Sequence, residues 1–169
     1  MIGVRSERME DHPAVYRVNQ LAFGRPNEAD LVEALREKGG PCISLVATLD
    51  ERIVGHIFFS PVCVESEGVA FGAMGLAPMA VLPNCQNQGI GTRLVREGLR
   101  ECQSLGHDIV VVLGHPKFYP RFGFTAASLK GLQSEYDVPD EVFMVAELKP
   151  GALDGLSGLV KYHREFAKV

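Results

Sequence analysis

The sequence predicts a mixed α/β domain in which a central, mostly antiparallel sheet is flanked by helices, and three observations predict it. Residues 43–82 read as a β-meander, with a tight turn at Asp50-Glu51 and another at Glu65 to Gly68. Residues 92–105 carry the 3.6-residue apolar period of an amphipathic helix. Directly after it, Ile109-Val110-Val111-Val112-Leu113 is a short continuous apolar run, as in a strand buried on both faces. The 169 residues match one average domain of about 150, so 1–169 is read as a single domain.

Ile2 to Glu7 is the first expected strand. Asp11 is placed as an N-cap, with Pro13 in the first turn, Val15, Val18, Leu21 and Ala22 on one helical face, and Gly24 as the stop. A second helix starts at Asn27, with Asp30 where a capping-box acid sits; it buries Leu31, Val32 and Leu35 and ends at Gly39-Gly40. Ile43 to Leu49 and Ile53 to Val64 form a hairpin, and Val69 to Leu82 extends it. Pro78 interrupts this third run and Pro83 closes it. Proline donates no ladder hydrogen bond, so an edge, a bulge or a stop in pairing is expected there, with something other than a neighbouring strand pairing with Met79 to Val81.

In the long helix Leu94, Val95, Leu99, Cys102 and Leu105 face inward, while Arg93, Arg96, Glu97, Arg100 and Glu101 face out; Gly106 ends it. Strand, glycine-containing turn, helix and buried strand then follow the order of a βαβ unit. The remainder gives a turn or short helix at Pro116 to Arg121, a strand near Phe124 and another from Val142 to Leu148.

A chain that is 46% hydrophobic and 22% charged holds enough apolar surface for a core and is not a disordered tail. Its formal charge of −4 repels polyanions, which excludes nucleic acid as an expected partner. No run of about 18 apolar residues occurs, and the N-terminus is charged where a signal peptide is apolar, so a cytoplasmic protein with no membrane partner is expected. Cys42, Cys63, Cys85 and Cys102 lack Cys-x-x-Cys spacing and are read as reduced thiols. The five histidines are too scattered for a zinc motif, so no metal is expected.

Gln86-Asn87-Gln88-Gly89-Ile90-Gly91-Thr92 lies between the proline-closed strand and the long helix. Two glycines let backbone approach a ligand closely, and the helix N-terminus adds about half a positive charge, so the turn is a candidate anion cradle. Glycine spacing alone equally fits a tight packing turn. A dinucleotide fingerprint would need glycine where Leu94 stands, and a phosphate loop would need Lys-Ser/Thr where Thr92-Arg93 stand.

The pattern that does match is Gln86-x-x-Gly89-x-Gly91 after the strand Leu76 to Leu82, which resembles the pyrophosphate-binding turn of the GCN5-related N-acetyltransferase (GNAT) superfamily. Tyr119, four residues before Gly123-Phe124 in the segment Phe118 to Phe124, resembles that superfamily's second landmark. Gly55-His56-Ile57, Gly75 to Val81, Leu113-Gly114-His115-Pro116 and Tyr119 to Phe124 are together similar to its YhbS-like bacterial N-acetyltransferases, a likeness that covers most of the chain.

The resemblance implies an acyl-CoA N-acyltransferase fold with acetyl-CoA as cosubstrate and CoA as product. It puts the pyrophosphate on Gln86, Asn87, Gln88, Gly89, Ile90, Gly91 and Thr92, and the pantetheine arm along Met79, Ala80 and Val81. A primary amine on a small molecule, peptide or protein would attack the thioester directly, with a backbone N–H near Val81 facing the oxyanion. The expelled thiolate needs a proton, and Tyr119 matches the superfamily's usual general acid; a phenol near pKa 10 beside a thiol near about 8.5 is able to supply it. On its own, Tyr119 also reads as a packed tyrosine among Phe118, Phe122 and Phe124.

Base candidates are Glu65, Glu67, His56 and Glu28, against plain readings as solvated turn carboxylates, a strand histidine and a first-turn acid. His115 stands where many superfamily members carry Asn and reads as part of a proline-directed turn. Cys85 adjoins the glycine turn without a Cys-His pair, so no acetyl-enzyme is expected. The rival reading is a non-catalytic CoA or acyl-CoA binding module acting as a sensor or interaction protein. Acceptor specificity is assigned to the N-terminal helices and residues 126–141, and the resemblance allows a homodimer.

Overall fold

In the computed structural model, which describes all 169 residues, β1 (Ile2–Ser6) runs antiparallel to β2 (Ile43–Leu49), and the meander continues through β3 (Arg52–Ser66) and β4 (Val69–Val81). The turn between β2 and β3 holds Asp50 at φ 50° and Glu51 at φ 68°. Two positive φ values in a two-residue loop match the twist of a hairpin, at a cost that Asp bears better than most residues. Between β1 and β2 lie α1 (His12–Phe23) and α2 (Asn27–Lys38); α3 (Ile90–Ser104) connects β4 to β5 (Ile109–Leu113). The chain then adds β6 (Thr125–Ala126), β7 (Leu132–Ser134), β8 (Phe143–Glu147) and β9 (Gly158–Lys161).

The strand order is β1-β2-β3-β4-β5-β8-β6, with β9 pairing β3 beyond the end of β2 and β7 pairing β9. The β4/β5 and β7/β9 pairs are parallel; the rest are antiparallel. Side chains alternate across the sheet as strand geometry requires. Ile57, Phe59, Met74, Leu76, Val110 and Val112 pack under α3, whereas Val46 and Phe58 pack with α1 and α2, and Val62, Val64, Val111 and Val160 form the core at the other end of that face.

Most expected elements form where the sequence places them, with corrections. Leu21 and Leu105 are 46% and 59% exposed, because each sits on the last turn of its helix, past the part of the sheet that the helix covers. Asp11 holds the N-cap position of α1, as placed, but its side chain makes no cap bond to the helix: its carboxylate accepts Arg5 Nη1 at 2.7 Å, Arg5 Nη2 at 3.1 Å and the Arg8 N–H at 2.7 Å. Asp30 accepts the Tyr16 hydroxyl at 2.8 Å instead of closing a capping box. β7 and β9 have no counterpart among the expected strands. At three and four residues they are too short to carry a period.

The decisive feature is how briefly β4 and β5 pair. Only Met74, Gly75 and Leu76 face Val110, Val111 and Val112. Next comes a bulge: Ile57 opposes Met79 and Phe59 opposes Leu76, so Ala77 and Pro78 share the space across from Phe58. Beyond it β4 stays with β3 to Val81, while β5 stays with β8 to Leu113, and the two strands leave a fork.

α3 lies unusually close to the sheet. A Cβ at Gly98 would sit 2.5 Å from Phe59 Cε1 and 2.6 Å from Phe59 Cζ. We therefore expect Gly98→Ala to lower stability by about 1–3 kcal/mol through overpacking. Denaturant unfolding checks this, and an unchanged midpoint would mean that α3 shifts outward at no cost.

Candidate active site

The fork exposes one edge of β4. Leu82 N donates to Val54 O at 2.9 Å. In an antiparallel ladder successive residues direct their polar groups to alternate sides, so Ala80 bonds toward β3 while Met79 and Val81 direct theirs into the fork. The Val81 carbonyl accepts Gln86 Nε2 at 3.1 Å, which leaves the Val81 N–H and both Met79 groups without a strand partner. The expected break in pairing at Met79 to Val81 is thus present.

This edge leads into the glycine turn. Asn87 at φ 63° and Gly89 at φ 83° reverse the chain, and Gly89 is the N-cap of α3. The first helical bond is from Arg93 N to Gly89 O at 3.1 Å, so the Ile90, Gly91 and Thr92 amides have no helical acceptor. They point out of the positive end of the helix. A Cβ at Gly91 would lie 3.5 Å from Met79 Cε and 3.7 Å from Phe118 Cζ, so glycine here keeps the space between β4 and the aromatic wall open.

Edge, turn and wall enclose a cavity of about 620 Å³. Of the residues assigned to a cosubstrate, Met79, Val81, Gln86, Asn87, Gly89, Ile90, Gly91, Thr92 and Tyr119 line it. Ala80 and Gln88 do not: Ala80 bonds toward β3 and is buried, and Gln88 is exposed at the outer bend of the turn. Cys85, Gly114, His115, Phe118 and Arg121 complete the lining. Of these, Arg121 escapes any sequence signal, since it belongs to no period and lies in a single short turn.

Tyr119 is both a packed tyrosine and a cavity residue. It is 7% exposed and stacks edge to face on Phe118 at 5.0 Å and Phe124 at 5.6 Å. Its ring covers Gly114, where a Cβ would meet Tyr119 Cε2 at 2.3 Å, so only glycine lets the ring settle against the end of β5. The hydroxyl has no protein hydrogen-bond partner, and burial pushes the phenol up to about 12.

None of the four base candidates reaches the cavity. Glu65 and Glu67 are exposed at the β3–β4 hairpin, and Glu28 is held by Arg25, whose Nε donates at 3.0 Å. His56 is fully buried on the α1 face. Asn19 Nδ2 donates to its Nδ1 at 3.1 Å, so the proton is on Nε2, which donates to Ser44 Oγ at 2.8 Å. Burial pushes this imidazole down to about 3. The lining holds no carboxylate, and His115 Nδ1 accepts the Lys117 N–H at 3.3 Å, closing the turn after β5. All four cysteines are free, no three His, Cys, Asp or Glu side chains are grouped to hold a metal, and no helix is long and apolar enough to cross a membrane.

A sheet split behind a helix whose amino end presents free amides to the opening defines a class, that of the GNAT-fold acyltransferases. The family model described as an acetyltransferase (GNAT) domain matches residues 3–127, and the chain belongs to that family. It is 38% identical over 164 residues to the uncharacterized N-acetyltransferase YhbS of Escherichia coli K12, covering 96% of this chain and 97% of the relative. The crystal structure of Escherichia coli YhbS in complex with CoA superposes with a TM-score of 0.91 over 98% of this chain and 92% of that one. A GNAT family acetyltransferase from Brucella melitensis, in complex with acetyl-CoA, is 34% identical, with a TM-score of 0.80 and 98% of both chains covered.

The state of His56 sets a pH dependence. An unfolded imidazole takes a proton near 6.5, whereas the folded one resists until about 3. This contribution is complete above pH 6.5 and is lost as pH falls toward 3. Between pH 6.5 and 4.5, above the range of the paired carboxylates Asp11, Glu147 and Glu165, we expect unfolding free energy to drop by about 2–3 kcal/mol. Urea titrations across that window check it. The drop should vanish in His56→Gln, whatever that variant's absolute stability.

Proposed function

We propose that the protein transfers the acetyl group of acetyl-CoA to a primary amine by direct attack, with Tyr119 as the proton donor to the leaving thiolate. One observation carries this reading: the unpartnered Tyr119 hydroxyl shares a cavity with the open edge of β4 and the free amides of the glycine turn.

The lining fits the cosubstrate. Ile90, Gly91 and Thr92 offer three convergent N–H donors to a diphosphate, and Met79, with both backbone groups free, offers strand-type pairing to the amides of a pantetheine arm. A cavity of about 620 Å³ has the size of a ligand site. The CoA and acetyl-CoA held by the two relatives support the same occupant here.

Bound acetyl-CoA supplies an acetyl group activated as a thioester. The Val81 N–H, directed into the fork, stabilises the oxyanion that forms on attack. Tyr119 delivers its proton to the sulfur. Burial raises its phenol to about 12, which keeps it protonated until the thiolate leaves. The lining has no carboxylate, so no side chain of this cavity is assigned as the base for the amine. That same lack of a base is what favours the rival reading, a coenzyme-binding module without turnover.

Acetyl-CoA or CoA at 100 times its Kd should stabilise the fold by about 2.7 kcal/mol and raise Tm by roughly 5–10 °C, whereas NAD and ATP should not. No shift with either coenzyme form would remove the basis of the proposal. With an amine acceptor found by screening, Tyr119→Phe keeps the ring packing and should lower kcat by about 10²-fold with little change in KM for acetyl-CoA. Unchanged turnover would sink the proton-donor role, and binding without any turnover across the screen would favour the module.

A further inference from the structure

The aromatic wall of the cavity carries two cations. The Arg121 guanidinium carbon stands 4.9 Å from the Phe118 ring centroid, and that of Arg96 stands 5.9 Å from the Phe122 centroid. The two rings pack edge to face at 5.1 Å. Neither guanidinium has a carboxylate within salt-bridge distance, which is also true of Arg17, Arg52, Arg93 and Arg164, but only these two are stacked on aromatic rings, and Arg121 lines the cavity. In a chain of net charge −4, two cations fixed on adjacent rings and left without an acid are set toward an external anion.

Their position identifies which anion. Along the wall, Tyr119 covers Gly114 at the fork and Phe118 reaches the turn at Gly91. Phe122 and Arg96 continue from there beside α3, with Arg96 one helical turn beyond Thr92. An acyl arm running inward along β4 leaves the nucleotide end of the same molecule on the outer side of the turn, with the arginines. The three turn amides serve the diphosphate. Coenzyme A also carries a phosphate monoester on its ribose 3′ oxygen, with about two negative charges, which calls for a cationic partner beyond the amides that face the diphosphate.

We infer that Arg121, reinforced by Arg96, binds the ribose 3′-phosphate and selects coenzyme A over its 3′-dephospho form. This rests on the coenzyme reading of the cavity. Stacking on Phe118 holds the Arg121 fork in place, so little freedom is lost when it closes on a phosphate.

Titration calorimetry on the full chain with CoA and 3′-dephospho-CoA tests it. The wild type should bind CoA at least about tenfold more tightly. Arg121→Gln should bring the two ligands to within about twofold, with 3′-dephospho-CoA affinity unchanged, and Arg96→Gln should give a partial loss of preference. Both arginines are exposed, so neither change removes core packing. Equal wild-type affinities, or an Arg121→Gln variant weakened equally toward both ligands, would overturn the assignment, the latter by moving Arg121 to the diphosphate. A wild type that binds neither ligand would instead bring down the coenzyme reading itself, and the inference with it.

Discussion

Parallel pairing between β4 and β5 lasts for three residue pairs, and the parting that follows organises the rest of the molecule. Pro78 has no N–H to give to β5, and the bulge it shares with Ala77 re-aims β4 while five pairs to β8 hold β5 on its own course. Met79 and Val81 are left with strand-oriented polar groups and no strand. Buried backbone groups need a partner, so this edge is paired by water or by an extended ligand. The site is in this sense an unfinished sheet.

The walls of the fork are held by close approaches that only glycine permits. Gly98 lets α3 settle on Phe59, which fixes where the amino end of the helix meets the cavity, and Gly114 lets the Tyr119 ring lie against the end of β5. On the opposite face Asn19, His56 and Ser44 tie α1, β3 and β2 together through two hydrogen bonds on one buried imidazole. His56 thus acts as a neutral cross-link: with its single proton donated to Ser44 it has no proton to exchange, and its place is in the packing of the helices that border the sheet.

Sequence legibility follows the range of the forces involved. The glycine turn, the Pro78 break and α3 were readable because each is set by local backbone chemistry or by a period repeated over several turns. Leu105 and Leu21 carry the right spacing but stand where the sheet beneath them ends, which no local pattern records. The acidic base candidates were chosen for their chemistry on segments bordering the acceptor side, and the fold sends Glu65 and Glu67 to an exposed hairpin and Glu28 to Arg25. Arg121 carries no signal in the sequence for the converse reason: its stack on Phe118 and its place in the cavity lining are properties of three-dimensional placement.

The distribution of charge then accounts for the chemistry left to the cavity. The chain has 21 Asp and Glu, yet none lines the space between β4, the turn and the aromatic wall. A carboxylate there would serve an amine as base, but at a few ångströms from a diphosphate it would oppose the anion that the helix terminus attracts. On the proposed coenzyme reading, a site that holds phosphates is therefore better served by a neutral acid than by a charged base. Tyr119 is a neutral acid in this sense: burial raises its phenol and keeps it protonated, which is the state the proposed proton transfer requires at rest.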